Sequence, residues 1–272
     1  AVALFLSAFG AGNFVNEVTK QQPGFGGYVL AAGFAVLIFM LFGWFKNVID
    51  ESMSGLYSAQ MDRSFRQGMS WFILSEVMFF MAFFGALFYG RVIALDWLSG
   101  GSNNAMTFEI LWPNFEAMWP LLKTPGGIET QAMPATGLPL INTVILVVSS
   151  ITLHFAHTGL EQNKRGQLKL MLLVTLLLGA TFLALQVYEY IHAYRDLGLT
   201  LASGFYGNTF FLLTGFHGMH VTLGAIILLF IFLRVLKGHF TPEKHFAFQA
   251  GAWYWHFVDV VWLCLYVFVY VL

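Results

Sequence analysis

Residues 68–95, GMSWFILSEVMFFMAFFGALFYGRVIAL, decide the fold. From Gly68 to Gly90 the only charged side chain is Glu76, and aromatic and aliphatic residues fill the rest of the stretch. About 20 apolar residues at 1.5 Å rise cross the hydrocarbon of a bilayer, so this run spells a membrane-spanning helix. Eight residues separate Gly68 from Glu76, which places the carboxyl about 12 Å along the helix. Hydrocarbon tolerates an ionisable group poorly, so Glu76 must face protein or water, find a partner, or hold its proton.

The rest of the chain agrees with that reading. Hydrophobic residues make up 58% of it and charged residues 10%, well below the roughly 25% of a soluble domain. A mean hydropathy of +0.72 makes the membrane its main solvent. The net charge of −1 gives no electrostatic support to nucleic-acid binding. Cys264 is the only cysteine, so no intrachain disulfide is available. No phosphate-binding loop, nucleophile elbow, CxxC or zinc-protease pattern occurs.

Seven apolar stretches qualify as spans, at about 1–12, 28–45, 68–95, 139–159, 168–192, 203–236 and 247–272. The first reads as the tail of a spanning helix; a cleaved signal peptide is the rival reading, but its charged leader and cleavage site are not visible. The segment 96–138 is the one long connection, and loops of that length are folded against the protein or functional. With the N-terminus inside, inner loops hold Lys46, Arg63, Arg66, Lys164, Arg165, Lys169, Arg234, Lys237 and Lys244; outer loops hold Lys20, Arg91, Lys123 and Arg195. Nine basic residues against four favour an inside N-terminus and an outside C-terminus.

Two further carboxyls lie in apolar runs. Glu189 has Gln186 and His192 three residues to either side, a spacing that suits a polar cluster on one helix face. Asp259 follows His256 by three residues, as in a satisfied pair or a proton shuttle. His154 and His157, and likewise His217 and His220, share a face, as metal ligands would. Thr214, Gly218 and Thr222 recur every four residues, as do Ser203 and Gly207, which suggests close helix approach. His217 and His220 therefore read as interhelical hydrogen-bonding groups and not as metal ligands.

Five blocks carry a family resemblance: GMSWFILSEVMFF at 68–80, PLINTVILVVSS at 139–150, QVYEYIHAYRD at 186–196, FYGNTFFLLTGFHGMHVTLG at 205–224 and QAGAWYWHFVDVVWLCLYVFVY at 249–270. In order, they resemble subunit III of the haem–copper cytochrome c oxidases. The resemblance implies an all-α, integral membrane bundle of seven transmembrane helices, with helices 1–2 (residues 1–67) set apart from helices 3–7 (residues 68–272) by a V-shaped, lipid-filled cleft. It implies no redox centre, metal site or catalytic residue in this chain. Haem a and copper would belong to partner subunits I and II. Cytochrome c would be met through the complex, and a respiratory supercomplex is a wider assembly it could join. The subunit would support proton uptake in a proton-pumping aa3-type oxidase. Subunit III of a quinol oxidase is the near alternative, and an independent transporter the distant one. A bacterial cytoplasmic membrane is expected over the mitochondrial inner membrane.

The same resemblance identifies Glu76 with the family's carbodiimide-reactive glutamate and Trp44, Glu51, Tyr57, Arg234 and His239 with its phospholipid contacts. Glu189, His217, His220, His256 and Asp259 are then structural polar groups within the membrane. Three positions depart from the family: Asp50 stands where arginine is common, Tyr57 replaces a histidine, and Gln249 replaces a glutamate.

Overall fold

The computed structural model describes residues 1–124 and 129–272. Among them the only β pairing is a single bridge between Lys123 and Glu129. The helices are α1 (Val2–Lys20), α2 (Gly26–Met53), α3 (Ala59–Phe88), α4 (Leu95–Leu98), α5 (Ala105–Leu111), α6 (Leu138–Glu161), α7 (Arg165–Arg195), α8 (Phe205–Leu236) and α9 (Phe246–Leu265). Wider π-helical turns continue α3 over Tyr89–Ala94 and α9 over Tyr266–Val271.

Among the described residues, six helical runs are long and apolar enough to cross a membrane: Gly26–Met53, Ala59–Leu98, Leu138–Glu161, Arg165–Arg195, Phe205–Leu236 and Phe246–Val271. The first expected span forms α1, whose second half carries Asn13, Asn16, Glu17 and Lys20 and falls short of that apolar length. Most of the others outrun their apolar stretches. Their backbone hydrogen bonds continue into the polar ends, where hydropathy no longer reports a helix.

The chain divides into two compact units, Ala1–Arg63 and Ser64–Leu272, with the boundary inside α3. In the first unit α1 packs along α2. The close approach is made by glycine. A Cβ on Gly10 would collide with the backbone of Leu30, one on Gly26 with the backbone of Phe14, and one on Gly33 would lie 2.6 Å from the backbone nitrogen of Ser7. On the other faces of α2, Phe34, Phe39, Phe42, Trp44 and Phe45 are exposed, as lipid-facing residues are.

In the second unit α6 packs on α7 and α9, and α8 packs on α7 and α9. Lipid tails are as apolar as leucine, so tight packing and interhelical hydrogen bonds hold these helices together. Each of the four pairs has such a bond. Thr152 meets Thr175 between α6 and α7 at 2.8 Å, and Tyr190 meets Thr214 between α7 and α8 at 2.7 Å. The fully buried Trp255 and Trp262 of α9 donate their indole N–H groups to Ser149 and Thr143 of α6, each at 3.0 Å. Between α8 and α9, His217 Nε2 lies 3.2 Å from the carbonyl oxygen of Val258 and donates to it.

The stripe of Thr214, Gly218 and Thr222 does not form a close helix crossing. Thr222 is exposed, and nothing lies within 4 Å of a Cβ built on Gly218. The ring of Trp255 takes the small-residue sites instead, 2.7 Å from a Cβ on Gly179 of α7 and 3.0 Å from one on Gly224 of α8. At Gly207 the atoms nearest a Cβ are local, those of Ser203 and Thr200.

The described part of segment 96–138 is folded onto the bundle. Phe115, Leu121 and Met133 are buried in the core, and Trp119 sits edge-on to Tyr206 at 5.7 Å. The Met133 N–H donates to the Tyr206 hydroxyl at 3.2 Å. Residues 125–128 of this loop lie outside the described residues.

Candidate functional site: a carboxyl–imidazole pair between α3 and α8

Within the second unit, α3 reaches α8 and α9 through aromatic side chains. Phe79 lies edge-on to Phe216 at 5.1 Å, Phe80 meets the His220 ring at 4.9 Å, and Phe72 stacks on Tyr254 at 6.0 Å. Rings of this size keep the backbones apart and leave room at mid-helix for two polar side chains. Glu76 Oε2 lies 2.9 Å from His220 Nε2. Side-chain exposure is 22% for the carboxyl and 5% for the imidazole, so both are largely withdrawn from their surroundings.

The other ring nitrogen decides how this pair holds its protons. His220 Nδ1 lies 2.6 Å from the Phe216 carbonyl oxygen. A carbonyl only accepts, so Nδ1 carries a hydrogen. Nε2 then either accepts the proton of a neutral Glu76 carboxyl or, as part of an imidazolium, donates to a Glu76 carboxylate. The two forms contain the same number of protons and have the same net charge of zero. The pair can therefore pass a proton internally without placing net charge in the membrane, which is the condition hydrocarbon imposes.

The remaining sequence-predicted groups are placed as follows. His217 is fully buried, its ring 5.7 Å from Phe182 and 5.0 Å from Trp262, and its Nδ1 has no hydrogen-bond partner. Glu189 is fully buried and accepts the Tyr270 hydroxyl at 2.7 Å. His192 does not join it; it turns to Asp196, one helical turn on, at 2.6 Å. The expected cluster divides because its side of α7 is split between the core and the surface. His256 and Asp259 do not bond each other either. His256 Nδ1 meets Ser150 of α6 at 2.5 Å, and Asp259, 7% exposed, faces the same serine with neither oxygen in hydrogen-bond range of a partner. A shared third residue on another helix is invisible to a spacing argument.

The lipid-contact candidates fall in both units. In the first, Trp44 is exposed and stacked on Phe45 at 5.4 Å. Tyr57 donates to Glu51 at 2.9 Å, and burial together with that carboxylate pushes its phenol up from its ordinary value, so it stays protonated at neutral pH. In the second, the Arg234 guanidinium lies 4.5 Å over the Phe240 ring, its Nε without a protein acceptor, and His239 Nδ1 is likewise unpartnered. Gln249 accepts Arg66 of α3 at 2.6 Å. Gln249→Glu is expected to turn this bond into an ion pair and tighten the start of α3 on α9 by about 1 kcal/mol. Hydrogen exchange over residues 66–72 should slow; unchanged exchange would show that the bond does not hold α3.

The chain matches the sequence model of cytochrome c oxidase subunit III over residues 15–272. It is 40% identical over 243 residues to cytochrome c oxidase subunit 3 of Loxodonta africana and also 40% identical over 243 residues to that of Papio hamadryas. It is 37% identical over 243 residues to that of Mus musculus. Each match covers 89% of this chain and 83% of the relative.

Proposed function

This chain belongs to the cytochrome c oxidase subunit III family, and from that premise we propose that it is the non-catalytic scaffold subunit of a proton-pumping, aa3-type oxidase. The family makes it a membrane-embedded part of an oxidoreductase complex in respiratory electron transport, associated with other oxidase subunits. The finer proposal is that it packs on subunits I and II, holds phospholipids in a cleft beside a seventh span formed by α1, and sustains proton uptake. Haem a and copper would be held by the partners, and electrons would come from cytochrome c.

One observation carries the scaffold reading: the mid-membrane imidazoles are already engaged by this chain. His220 uses both ring nitrogens, on Phe216 and Glu76, and His217 uses Nε2 on Val258 with its ring packed against Phe182 and Trp262. An axial ligand needs a nitrogen facing an open pocket. What these side chains do is hold helices together.

Copurification tests the assignment. Affinity purification of a tagged chain should bring haem a with it, whereas a quinol oxidase subunit would arrive without cytochrome c oxidation, and a transporter without haem. The lipid role has its own test. Arg234→Gln should loosen a bound anionic phospholipid in native mass spectrometry, while unchanged occupancy would remove Arg234 from that role. The excess of inner basic residues supports an inside N-terminus. The animal relatives favour the mitochondrial inner membrane over the bacterial membrane preferred by sequence reading.

A further inference from the structure

At the end of α6 and the start of α9, three side chains converge that the scaffold role does not use. His157 and Glu161 occupy the last turn of α6, one turn apart, and His245 is the N-cap of α9. One ligand atom from each lies within 4.8 Å of the other two. His157 Nε2 is 3.6 Å from Glu161 Oε1, too long for a hydrogen bond. The Nε2 atoms of His157 and His245 are both shut off from solvent and have no hydrogen-bond partner. An unpaired buried nitrogen is costly, and two beside a carboxylate call for an explanation.

The second nitrogen of His245 supplies one. Its Nδ1 lies 3.1 Å from the Thr241 carbonyl, so Nδ1 carries the hydrogen and the neutral ring presents its lone pair at Nε2. An N–H anchored to a backbone carbonyl is how ligating imidazoles are held in the right tautomer. The Phe248 ring stacks on His157 at 5.5 Å and fixes its plane. The C-terminal end of α6 contributes negative partial charge to the same place. Glu161 is the exposed member, with 53% of its side chain accessible.

We propose that His157, Glu161 and His245 form a binding site for a divalent transition-metal ion of the zinc type, with water or a partner group as the fourth ligand. Two imidazoles and one carboxylate suit zinc; magnesium and calcium want oxygen alone. Tetrahedral bonds of about 2.0–2.2 Å put ligand atoms about 3.4 Å apart. His157 and Glu161 already stand near that spacing at 3.6 Å, and the site closes when the His245 ring draws in from within 4.8 Å. The bound ion would clamp the end of α6 to the start of α9, closing a connection that now rests on ring contacts.

The test uses the detergent-purified protein containing this chain, equilibrated with zinc chloride, desalted and assayed for zinc at matched content of this chain. Wild type should retain one more zinc than the variant His157→Gln/His245→Gln. Glu161→Gln, a change at an exposed position that should leave folding intact, should need at least about tenfold more zinc for half-occupancy. Magnesium chloride in excess should not displace the ion. Equal zinc in wild type and both variants would overturn the site, and so would an unshifted titration for Glu161→Gln if the double variant fails to assemble. Neither result bears on whether haem copurifies with the chain, so this site and the oxidase assignment fail separately.

Discussion

Gly10→Leu is expected to force α1 away from α2. The added side chain would start inside the backbone of Leu30, which cannot turn aside as a side-chain tip can. Gly26 and Gly33 set the same close approach from the other helix, against Phe14 and Ser7, so the contact has no slack elsewhere. Overpacking a tight site costs about 1–3 kcal/mol even where side chains can shift, and a backbone clash belongs at or above the top of that range. Gly12, by contrast, has open space around its Cβ position, and Gly12→Leu should be tolerated. Proteolysis of the turn between α1 and α2 in membranes should rise sharply for Gly10→Leu and stay at the wild-type rate for Gly12→Leu. Equal proteolysis of the two variants would mean that the glycine contact does not hold the hairpin.

The second large effect is expected at the pair between α3 and α8. His220→Leu leaves the Glu76 carboxyl with its hydrogen-bond partner removed. Stranding a buried polar group costs about 1–3 kcal/mol. Glu76→Gln should behave differently: its amide N–H can donate to His220 Nε2, as a protonated carboxyl would, so packing and assembly are kept. The amide cannot exchange a proton with the imidazole, however. Glu76→Gln should therefore assemble normally and turn over normally at first, while His220→Leu lowers the thermal midpoint of the complex. Loss of the haem-containing complex in Glu76→Gln would contradict a peripheral role for this pair.

Much of this was legible before any coordinates. Long apolar runs show where helices cross a membrane because a bilayer demands about 20 such residues, whatever their order. Glu76 stood out for the same reason. Its partner did not, because His220 is 144 residues away and only packing joins them. Spacing rules also misjudged near neighbours. Gln186, Glu189 and His192 suit one cluster by number, yet Glu189 turns inward to Tyr270 and His192 outward to Asp196. The small residues of α8 suggested a close crossing, but the indole of Trp255 decided which glycines mattered, Gly179 and Gly224. In the candidate metal site, spacing paired His157 with His154, whereas the structure sets it beside Glu161. The third ligand, His245, comes from the far side of two helices and a loop.

The scaffold reading predicts that electrons never rest on this polypeptide. The direct measurement is haem iron and copper per mole of oxidase before and after detergent strips this chain from the complex. The stripped enzyme should keep its full haem and copper content and its initial rate of cytochrome c oxidation, and should lose activity faster during sustained turnover. Haem iron or copper leaving in step with the chain would contradict the account.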